Sequence, residues 1–293
     1  MAICGSPASA RIAPAGWLLH SAPQARIDRP VDKRRASHPL PLPRLQTKRC
    51  EQGALIMPVE LDASDVRVDG QYAFTSRALA NEVHRCGWLR LRGSNNSQGL
   101  ESEILRVARS LGEPLAGRNN QVLEMLAPTR PEHSKANSLS ERHGLGAFPL
   151  HVDGAHRPRP PRFLVLGCAS AGASPIPTLV SAFDDLKLDA VDLRRCATAL
   201  FVIRNGRHSF YSTITDLGQP FVRFDAGCMK AVSAEARVLS DKITSRSDHV
   251  APTRIDWQTG EIVILDNWRV LHGRGASPSA PSLDRLIFRV AVQ

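Results

Sequence analysis

The pattern of apolar and polar positions along the chain predicts a few helices and many short strands. Helical spacing occurs from Ser76 to Cys86, where Leu79 and Val83 share one face. Gly87 follows as a helix end. Further amphipathic helices are expected at Leu100–Leu111, Asp184–Cys196 and Ala234–Ile243.

Short apolar runs between turn residues predict the strands. The residues that follow Trp88 alternate between apolar and polar positions. Runs of similar character are Phe163–Gly167, Thr178–Ala182, Ala199–Arg204, Phe221–Phe224, Glu261–Leu265 and Leu286–Val292. Many short strands with few helices indicate a β-sandwich or barrel, so we expect a mainly β fold with flanking helices.

Residues 113–148 have no clear period and are rich in Pro, Asn, Ser and Gly. A loop of this length in a compact domain is usually functional or disordered. Because it leads directly into the most informative motif, we expect a lid or a loop that contacts substrate.

Composition separates a tail from a body. The chain has 293 residues, 42% of them hydrophobic, and a net charge of +10. Residues 1–56 carry nine Lys or Arg against three Asp or Glu, a net charge of +6, and seven of the 21 prolines. We expect this segment to be a disordered tail or an over-extended start before Met57; its Arg-rich character also resembles a transit peptide, which its prolines fit badly. With Trp17 as its one aromatic residue, it does not favour nucleic-acid binding.

Several classes of protein are disfavoured. The six cysteines are far apart and form no CxxC motif, which predicts reduced thiols in a reducing, cytoplasmic compartment. No apolar run approaches the roughly 18 residues of a membrane span, and no phosphate-binding glycine loop is present. We expect a small-molecule substrate and no nucleic-acid or membrane partner, and a homo-oligomer stays open.

The most informative motif is the pair His151 and Asp153. On a strand, residues two apart point to the same face, so an imidazole nitrogen and a carboxylate oxygen could bind one ion. A His–Asp hydrogen bond without a metal is the alternative. Near the C-terminus, an apolar run and a polar turn lead to His272. Two histidines and one carboxylate leave coordination positions open, which favours non-haem Fe(II).

Two arginines lie four residues apart on the last apolar run. Even spacing places Arg285 and Arg289 on one face. A buried guanidinium needs an anionic partner, and its planar fork fits a carboxylate, so a dicarboxylate co-substrate is indicated. The alternative is an internal ion pair with Asp184, Asp185 or Asp284.

Together these residues resemble the taurine dioxygenase/clavaminate synthase family of Fe(II)- and 2-oxoglutarate-dependent oxygenases. That family has an HxD or HxE pair, a distal histidine after an Asp-Asn-x-Arg-x-x-His stretch, and an arginine about a dozen residues later. Here Arg285 lies 13 residues after His272 and Thr178 lies 27 residues after His151. The similarity covers nearly all of residues 57–293 and none of the tail.

The resemblance implies a double-stranded β-helix, or jelly-roll, core. It implies that His151, Asp153 and His272 bind the iron, with O2 as oxidant and ascorbate as a supporting reductant. Thr178 and Arg285 would hold the distal carboxylate of 2-oxoglutarate.

Arg289 would contact the inner carboxylate of 2-oxoglutarate or the primary substrate. Because halogenating relatives lack the carboxylate ligand, the presence of Asp153 implies hydroxylation, desaturation or a related oxidation. The substrate implied is an amino acid or a derivative; a sulfonate or aryloxy acid, or a catalytically silent jelly-roll sensor, is the alternative.

Other polar residues near the motifs receive structural interpretations. We expect His143 and His156 to face solvent, Asp266 and Asn267 to shape the turn before His272, and Cys168 to be a buried small hydrophobic residue. A solvated rim is expected for Arg157, Arg159 and Arg162, and Arg274 is a candidate contact for an anionic substrate.

Overall fold

The computed structural model describes residues 61–62, 76–117, 120–134, 138–173, 176–216, 218–276 and 283–293. The tail predicted at residues 1–56 lies outside these residues. The helices are α1 (Ser76–Cys86), α2 (Ser97–Leu111), α3 (Leu139–His143), α4 (Ala190–Thr198) and α5 (Ala234–His249), with short 3-10 helices at Pro131–His133 and Phe183–Leu186.

The strands are short and follow one another closely along the chain. They are β1 (Leu61–Asp62), β2 (Trp88–Arg92), β3 (Pro114–Leu115), β4 (Glu124–Leu126), β5 (Phe148–His151), β6 (Phe163–Ser170), β7 (Thr178–Ala182), β8 (Phe201–Asn205), β9 (His208–Ser212), β10 (Thr215–Asp216), β11 (Gln219–Val222), β12 (Met229–Ala231), β13 (Thr253–Ile255), β14 (Glu261–Asp266), β15 (Val270–Arg274) and β16 (Leu286–Val292).

Two sheets pack face to face. The major sheet has the strand order β1-β2-β14-β6-β16-β3, with β4 also paired to β16, and the minor sheet has the order β13-β7-β15-β5. Apart from the parallel pair β1–β2, the pairs in both sheets are antiparallel. The smaller sheets β12-β8-β9 and β10-β11 complete the described part. The predicted mainly β, jelly-roll fold is confirmed.

The major sheet is buried on both faces, which explains its continuous apolar sequences. On β6, the side chains of Leu164 and Leu166 enter the interior between the two sheets, whereas Phe163 and Val165 pack against helices. The interior cluster contains Leu164, Leu166, Cys168, Val180, Ile255, Trp257, Val263, Leu265, Val270 and Ile287. The helix-facing cluster includes Leu79 and Val83 of α1 and Leu100, Ile104, Val107 and Ala108 of α2.

The residues around helix α1 show why its end needs glycine. The Gly87 N–H donates to the carbonyl oxygen of Val83 at 2.8 Å, and Gly87 has a φ of +81°. A Cβ at this position would lie 2.9 Å from Val270 Cγ1. Glycine therefore ends the helix in the left-handed region and lets it approach the minor sheet.

Some predicted boundaries were wrong. The helix expected at Asp184–Cys196 is divided into the 3-10 turn Phe183–Leu186 and α4, because Lys187 adopts a left-handed φ of 48° and Asp189 caps a new helix. The strand expected at Phe221–Phe224 is β11, which ends at Val222. Helix α2 begins a turn earlier than expected because the Asn96 side chain accepts a hydrogen bond from the Gly99 N–H.

Residues 113–148 are not a featureless loop. They contain β3, β4, the short turn Pro131–His133 and α3, and β5 begins at Phe148. These pieces are too short for periodicity to reveal, and the strands among them are defined by pairing with distant strands rather than by their own sequence. Their pairing with β15 and β16 places this region beside the predicted metal ligands.

Candidate active site

The two predicted histidine ligands occupy neighbouring strands of the minor sheet. His151 is the last residue of β5, and His272 on β15 lies opposite it in the antiparallel register. Their imidazole centroids are 4.7 Å apart. Gly273 permits this close pairing, because a Cβ there would lie 2.6 Å from the carbonyl oxygen of Phe148.

Asp153 reaches the histidines by a route that differs from the prediction. Strand β5 ends at His151, so Asp153 lies in a turn and not at the next inward position of a strand. The Asp153 N–H donates to Asn267 Oδ1 at 2.9 Å, and Asn267 Nδ2 donates to the Asp153 carbonyl oxygen at 3.0 Å. Asn267, expected only to shape the turn before His272, therefore joins the two segments that supply the ligands. Ligand atoms of His151, Asp153 and His272 all lie within 4.8 Å of one another.

The protonation states of these groups suit a divalent metal ion. His151 Nδ1 lies 2.9 Å from the Pro149 carbonyl oxygen, which can only accept, so Nε2 carries the free lone pair. Burial lowers the pKa of His272 to about 3, so its imidazole is neutral at neutral pH. Burial alone would raise the pKa of Asp153, but opposing charges, of which that of Arg289 is the largest, lower it. A neutral His272, the Nε2 atom of His151 and one carboxylate form the donor set.

Arg289 bonds two carboxylates in the structure. Its Nη1 donates to Asp153 Oδ2 at 2.6 Å, and its Nη2 donates to Glu124 Oε2 at 2.6 Å. Asp153 Oδ1 lies 3.9 Å from His151 Nε2 and is the oxygen left for a metal. The sequence predicted Arg289 but missed Glu124, because a single acid in an aperiodic segment carries no signal.

Arg285 is buried and unpaired. Its side chain is 9% exposed, and within the described residues its guanidinium forms no hydrogen bond or ion pair. Burial lowers its pKa. Asp284 and Asp185, two acids considered as internal partners, instead accept hydrogen bonds from the main-chain N–H groups of Ala173 and Ala182. A buried guanidinium without an anion is unfavourable, so this position favours an anionic ligand.

Thr178 lies in the same region of the sandwich. It is the first residue of β7 and lies opposite Arg274 in the register of β7 with β15. Its hydroxyl accepts a hydrogen bond from Trp257 Nε1 at 2.9 Å. Burial, together with the charge of nearby Arg285, lowers the pKa of Arg274 to about 10. Thr178 and Arg285 are thus each linked to Arg274, the first by strand register and the second by charge, and Trp257 is an addition that the sequence did not reveal.

Arg274 contacts protein rather than open space. Its Nε donates to the Gly146 carbonyl oxygen at 2.8 Å, and its Nη2 donates to the carbonyl oxygens of Gly144 and Gly146. The guanidinium also lies over the Phe148 ring, 3.7 Å from the centroid. These contacts anchor the segment that precedes β5, so Arg274 is used as a support for that segment.

The remaining predicted polar residues have mixed environments. His143, expected to face solvent, is half-buried and packs against the edge of the Phe148 ring, with centroids 5.7 Å apart. Arg159 and Arg162 lie over the Trp268 ring, at 4.8 and 5.5 Å from its centroid. His156 and Arg157 are half-buried. Asp266 accepts a hydrogen bond from the Trp268 N–H. Cys168 is fully buried, as the sequence predicted for it.

A jelly-roll that brings two histidines and one carboxylate together around a common point has the donor set of a facial metal triad. Sequence comparison places the chain more narrowly. Residues 58–291 match the family described as "Taurine catabolism dioxygenase TauD, TfdA family", and the chain belongs to that family. The resemblance inferred from the motifs is therefore confirmed. No curated protein matches the chain in a whole-sequence comparison.

Solved structures of oxygenases share the fold. An asparagine oxygenase in complex with Fe(II), 2S,3S-3-hydroxyasparagine and succinate is 18% identical, with a TM-score of 0.60 over 74% of this chain and 78% of that chain. The non-haem iron oxygenase OrfP with Fe, succinate and (3S)-hydroxy-L-Arg is 19% identical, with a TM-score of 0.59 over 74% and 79%. OrfP has also been solved with Fe and alpha-ketoglutaric acid, at 19% identity and a TM-score of 0.58 over 74% and 78%. Within the described residues of this chain, no helix is long and apolar enough to span a membrane.

Proposed function

We propose that the protein is an Fe(II)- and 2-oxoglutarate-dependent dioxygenase that hydroxylates a small molecule, an amino acid or an amino-acid derivative. One observation carries the proposal. His151, Asp153 and His272 form a preorganised triad, with ligand atoms within 4.8 Å of one another. Family membership and the ligands bound in the solved neighbours support the assignment of iron and 2-oxoglutarate.

The chain's own residues define the roles. His151 Nε2, Asp153 Oδ1 and His272 would hold the iron, and Arg289 keeps Asp153 ionised by bonding its other oxygen. Arg285, with Thr178, would hold the distal carboxylate of 2-oxoglutarate, because its guanidinium is buried and unpaired among the described residues. When bound, the iron supplies the activation of O2 that couples oxidative decarboxylation of 2-oxoglutarate to substrate oxidation.

The charges near the triad favour a substrate with an amino group over an anion without one, such as an aryloxy acid. Glu124 lies beside Arg289, so that edge of the site offers a carboxylate next to a guanidinium. An α-amino acid carries an ammonium group that suits Glu124 and a carboxylate that suits Arg289. A sulfonate without an amino group would meet Glu124 as a like charge. The hydroxylated amino acids bound in the solved neighbours support an amino acid as that substrate.

The oxygenase domain is proposed to comprise residues 57–293, and residues 1–56 to be a tail outside it. The family match at 58–291 supports this boundary. Among the described residues, Cys86, Cys168, Cys196 and Cys228 are not joined in disulfides, which supports a reducing compartment such as the cytoplasm.

A substrate screen tests the function. The Fe(II)-loaded protein is incubated with 2-oxoglutarate, ascorbate, O2 and individual amino acids, and mass spectrometry follows succinate and any product that gains one oxygen atom. We expect succinate in proportion to a hydroxylated amino acid. An absence of 2-oxoglutarate turnover under all conditions would favour the silent sensor, whereas turnover with taurine or an aryloxy acid alone would overturn the amino-acid assignment.

A further inference from the structure

We propose that Trp257 is a positioning residue that presents the Thr178 hydroxyl as a hydrogen-bond donor, so that the pocket around Arg285 selects a 2-oxo acid with a distal carboxylate. The inference rests on the proposed function, because it concerns the 2-oxoglutarate pocket. Trp257 lies between β13 and β14. The two residues that the sequence assigned to this pocket lie elsewhere, Thr178 at the start of β7 and Arg285 just before β16.

The indole and the hydroxyl form a buried, isolated pair. Trp257 and Thr178 are 6% and 7% exposed, and Trp257 Nε1 lies 2.9 Å from Thr178 Oγ1. An indole N–H can only donate, so Thr178 is the acceptor of this bond. The Thr178 hydroxyl retains its own hydrogen, and within the described residues no group accepts it. Its free hydrogen is therefore available to a ligand.

The two arginines linked to this part of the sandwich are also donors. Arg285 has no acceptor function, and its buried Nε has no partner among the described residues. Arg274 directs its nitrogens to the main-chain carbonyl oxygens of Gly144 and Gly146. Burial raises the pKa of Cys168 to about 11, so that thiol adds no negative charge beside Arg285.

Buried donors without a partner select an acceptor. A carboxylate offers only acceptor oxygens, so it can satisfy Arg285 and Thr178 together. An alkyl end of the same length leaves both donors unsatisfied, which is unfavourable in a buried site. The indole strengthens this choice, because it occupies an acceptor lobe of Thr178 and restricts the rotation of its hydroxyl.

The experiment compares two co-substrates of equal chain length. Under anaerobic conditions, 2-oxoglutarate or 2-oxovalerate is titrated into the Fe(II)-loaded protein, and the metal-to-ligand charge-transfer band reports the Kd. Both acids carry the same keto acid end, and only 2-oxoglutarate carries the distal carboxylate. Wild type, Trp257→Phe, Thr178→Val and the double variant are measured.

We expect Thr178→Val to raise the Kd for 2-oxoglutarate at least about tenfold, because it removes a hydrogen bond to a charged carboxylate. Trp257→Phe should raise the same Kd about three- to tenfold, because it removes a hydrogen bond between neutral groups. Neither change should alter the Kd for 2-oxovalerate by more than about twofold. If Trp257 acts through Thr178, the double variant should bind 2-oxoglutarate no more weakly than Thr178→Val alone.

The outcomes separate the two proposals. A wild type that binds both acids equally would overturn the assignment of the pocket and, with it, this inference. A wild type that discriminates, combined with a strictly additive double variant or a Trp257→Phe variant of unchanged selectivity, would overturn the role of Trp257 alone.

Trp268→Phe is the matched control, since it also removes a buried indole bond, the one from Trp268 Nε1 to the Pro160 carbonyl oxygen at 3.0 Å. It should leave the preference for 2-oxoglutarate unchanged, and an equal loss of preference would show that the Trp257 effect is only structural. If Trp257→Phe does not fold, the ¹⁵N-labelled indole signal of Trp257 in the Zn(II)-loaded protein replaces it. The chemical shift of that signal should change in Thr178→Val. It should also change on addition of 2-oxoglutarate but not of 2-oxovalerate. A chemical shift that stays the same in Thr178→Val and on addition of 2-oxoglutarate would overturn the proposal.

Discussion

Arg285 lies just before β16, and Arg289 lies within it. Replacing each arginine by glutamine should change the stability of the metal-free protein in opposite directions. Arg285 is a buried cation with no partner among the described residues, whereas Arg289 bonds the carboxylates of Asp153 and Glu124. Arg285→Gln removes an unpaired buried charge, so the metal-free protein should keep or gain stability. Arg289→Gln leaves two carboxylates without their cation, so the metal-free protein should lose stability.

The contacts set the expected magnitudes. Breaking a fully buried ion pair costs roughly 3–5 kcal/mol. Because Asp153 and Glu124 are 21% and 23% exposed, a loss of about 2 kcal/mol is expected for Arg289→Gln, or about 4–8 °C in Tm for a domain of this size. For Arg285→Gln, loss of a charge-assisted contact of roughly 1.5–3 kcal/mol should raise the Kd for 2-oxoglutarate about 10- to 150-fold.

Thermal unfolding of the metal-free variants by circular dichroism measures the first effect, and anaerobic titration of 2-oxoglutarate into the Fe(II)-loaded variants measures the second. Arg285→Lys and Arg289→Lys are the matched controls. Lysine should restore only part of the 2-oxoglutarate affinity at position 285, because an ammonium group cannot reproduce the planar fork. At position 289 it should restore most of the stability, since it keeps the positive charge beside Asp153 and Glu124.

The reasoning would be refuted by two results. If Arg285→Gln lowered Tm as much as Arg289→Gln, Arg285 would have an anionic protein partner and would not await a ligand. If Arg289→Gln weakened the binding of 2-oxoglutarate while Arg285→Gln left it intact, the roles of the two arginines would have to be exchanged.

Four further outcomes are expected. His272→Ala should weaken Fe(II) binding at least about 100-fold and abolish turnover, as it removes one of three ligands; full turnover would exclude the triad. Gly273→Ala should weaken metal binding in a Co(II) titration, because its Cβ would push β15 away from Phe148 on β5. Burial raises the pKa of Cys168 to about 11, so iodoacetamide at pH 8 should label Cys86 well before Cys168 in peptide mapping. Deletion of residues 1–56 should leave Tm and metal binding unchanged; a marked fall in Tm would show that the segment packs.

The local sequence determined the chemistry of the site. The His151–Asp153 pair, the motif that ends at His272 and the family they resemble predicted a metal triad, and the apolar periods predicted a mainly β fold. Those signals are local: a strand period, a helix end at Gly87 and a three-residue motif depend on neighbours within a few positions. Helix α1 and strand β6 were therefore predicted near their observed positions.

Only the tertiary structure decided how those groups are held. Asp153 lies in a turn fixed by Asn267, 114 residues away, and Trp257 reaches Thr178 across 79 residues. Arg289 is paired, unlike Arg285, and one of its partners is Glu124. The strand that carries Glu124 has no periodic signature of its own. Strand register and side-chain pairing between distant segments decide these contacts, and neither is encoded in the period of a single segment.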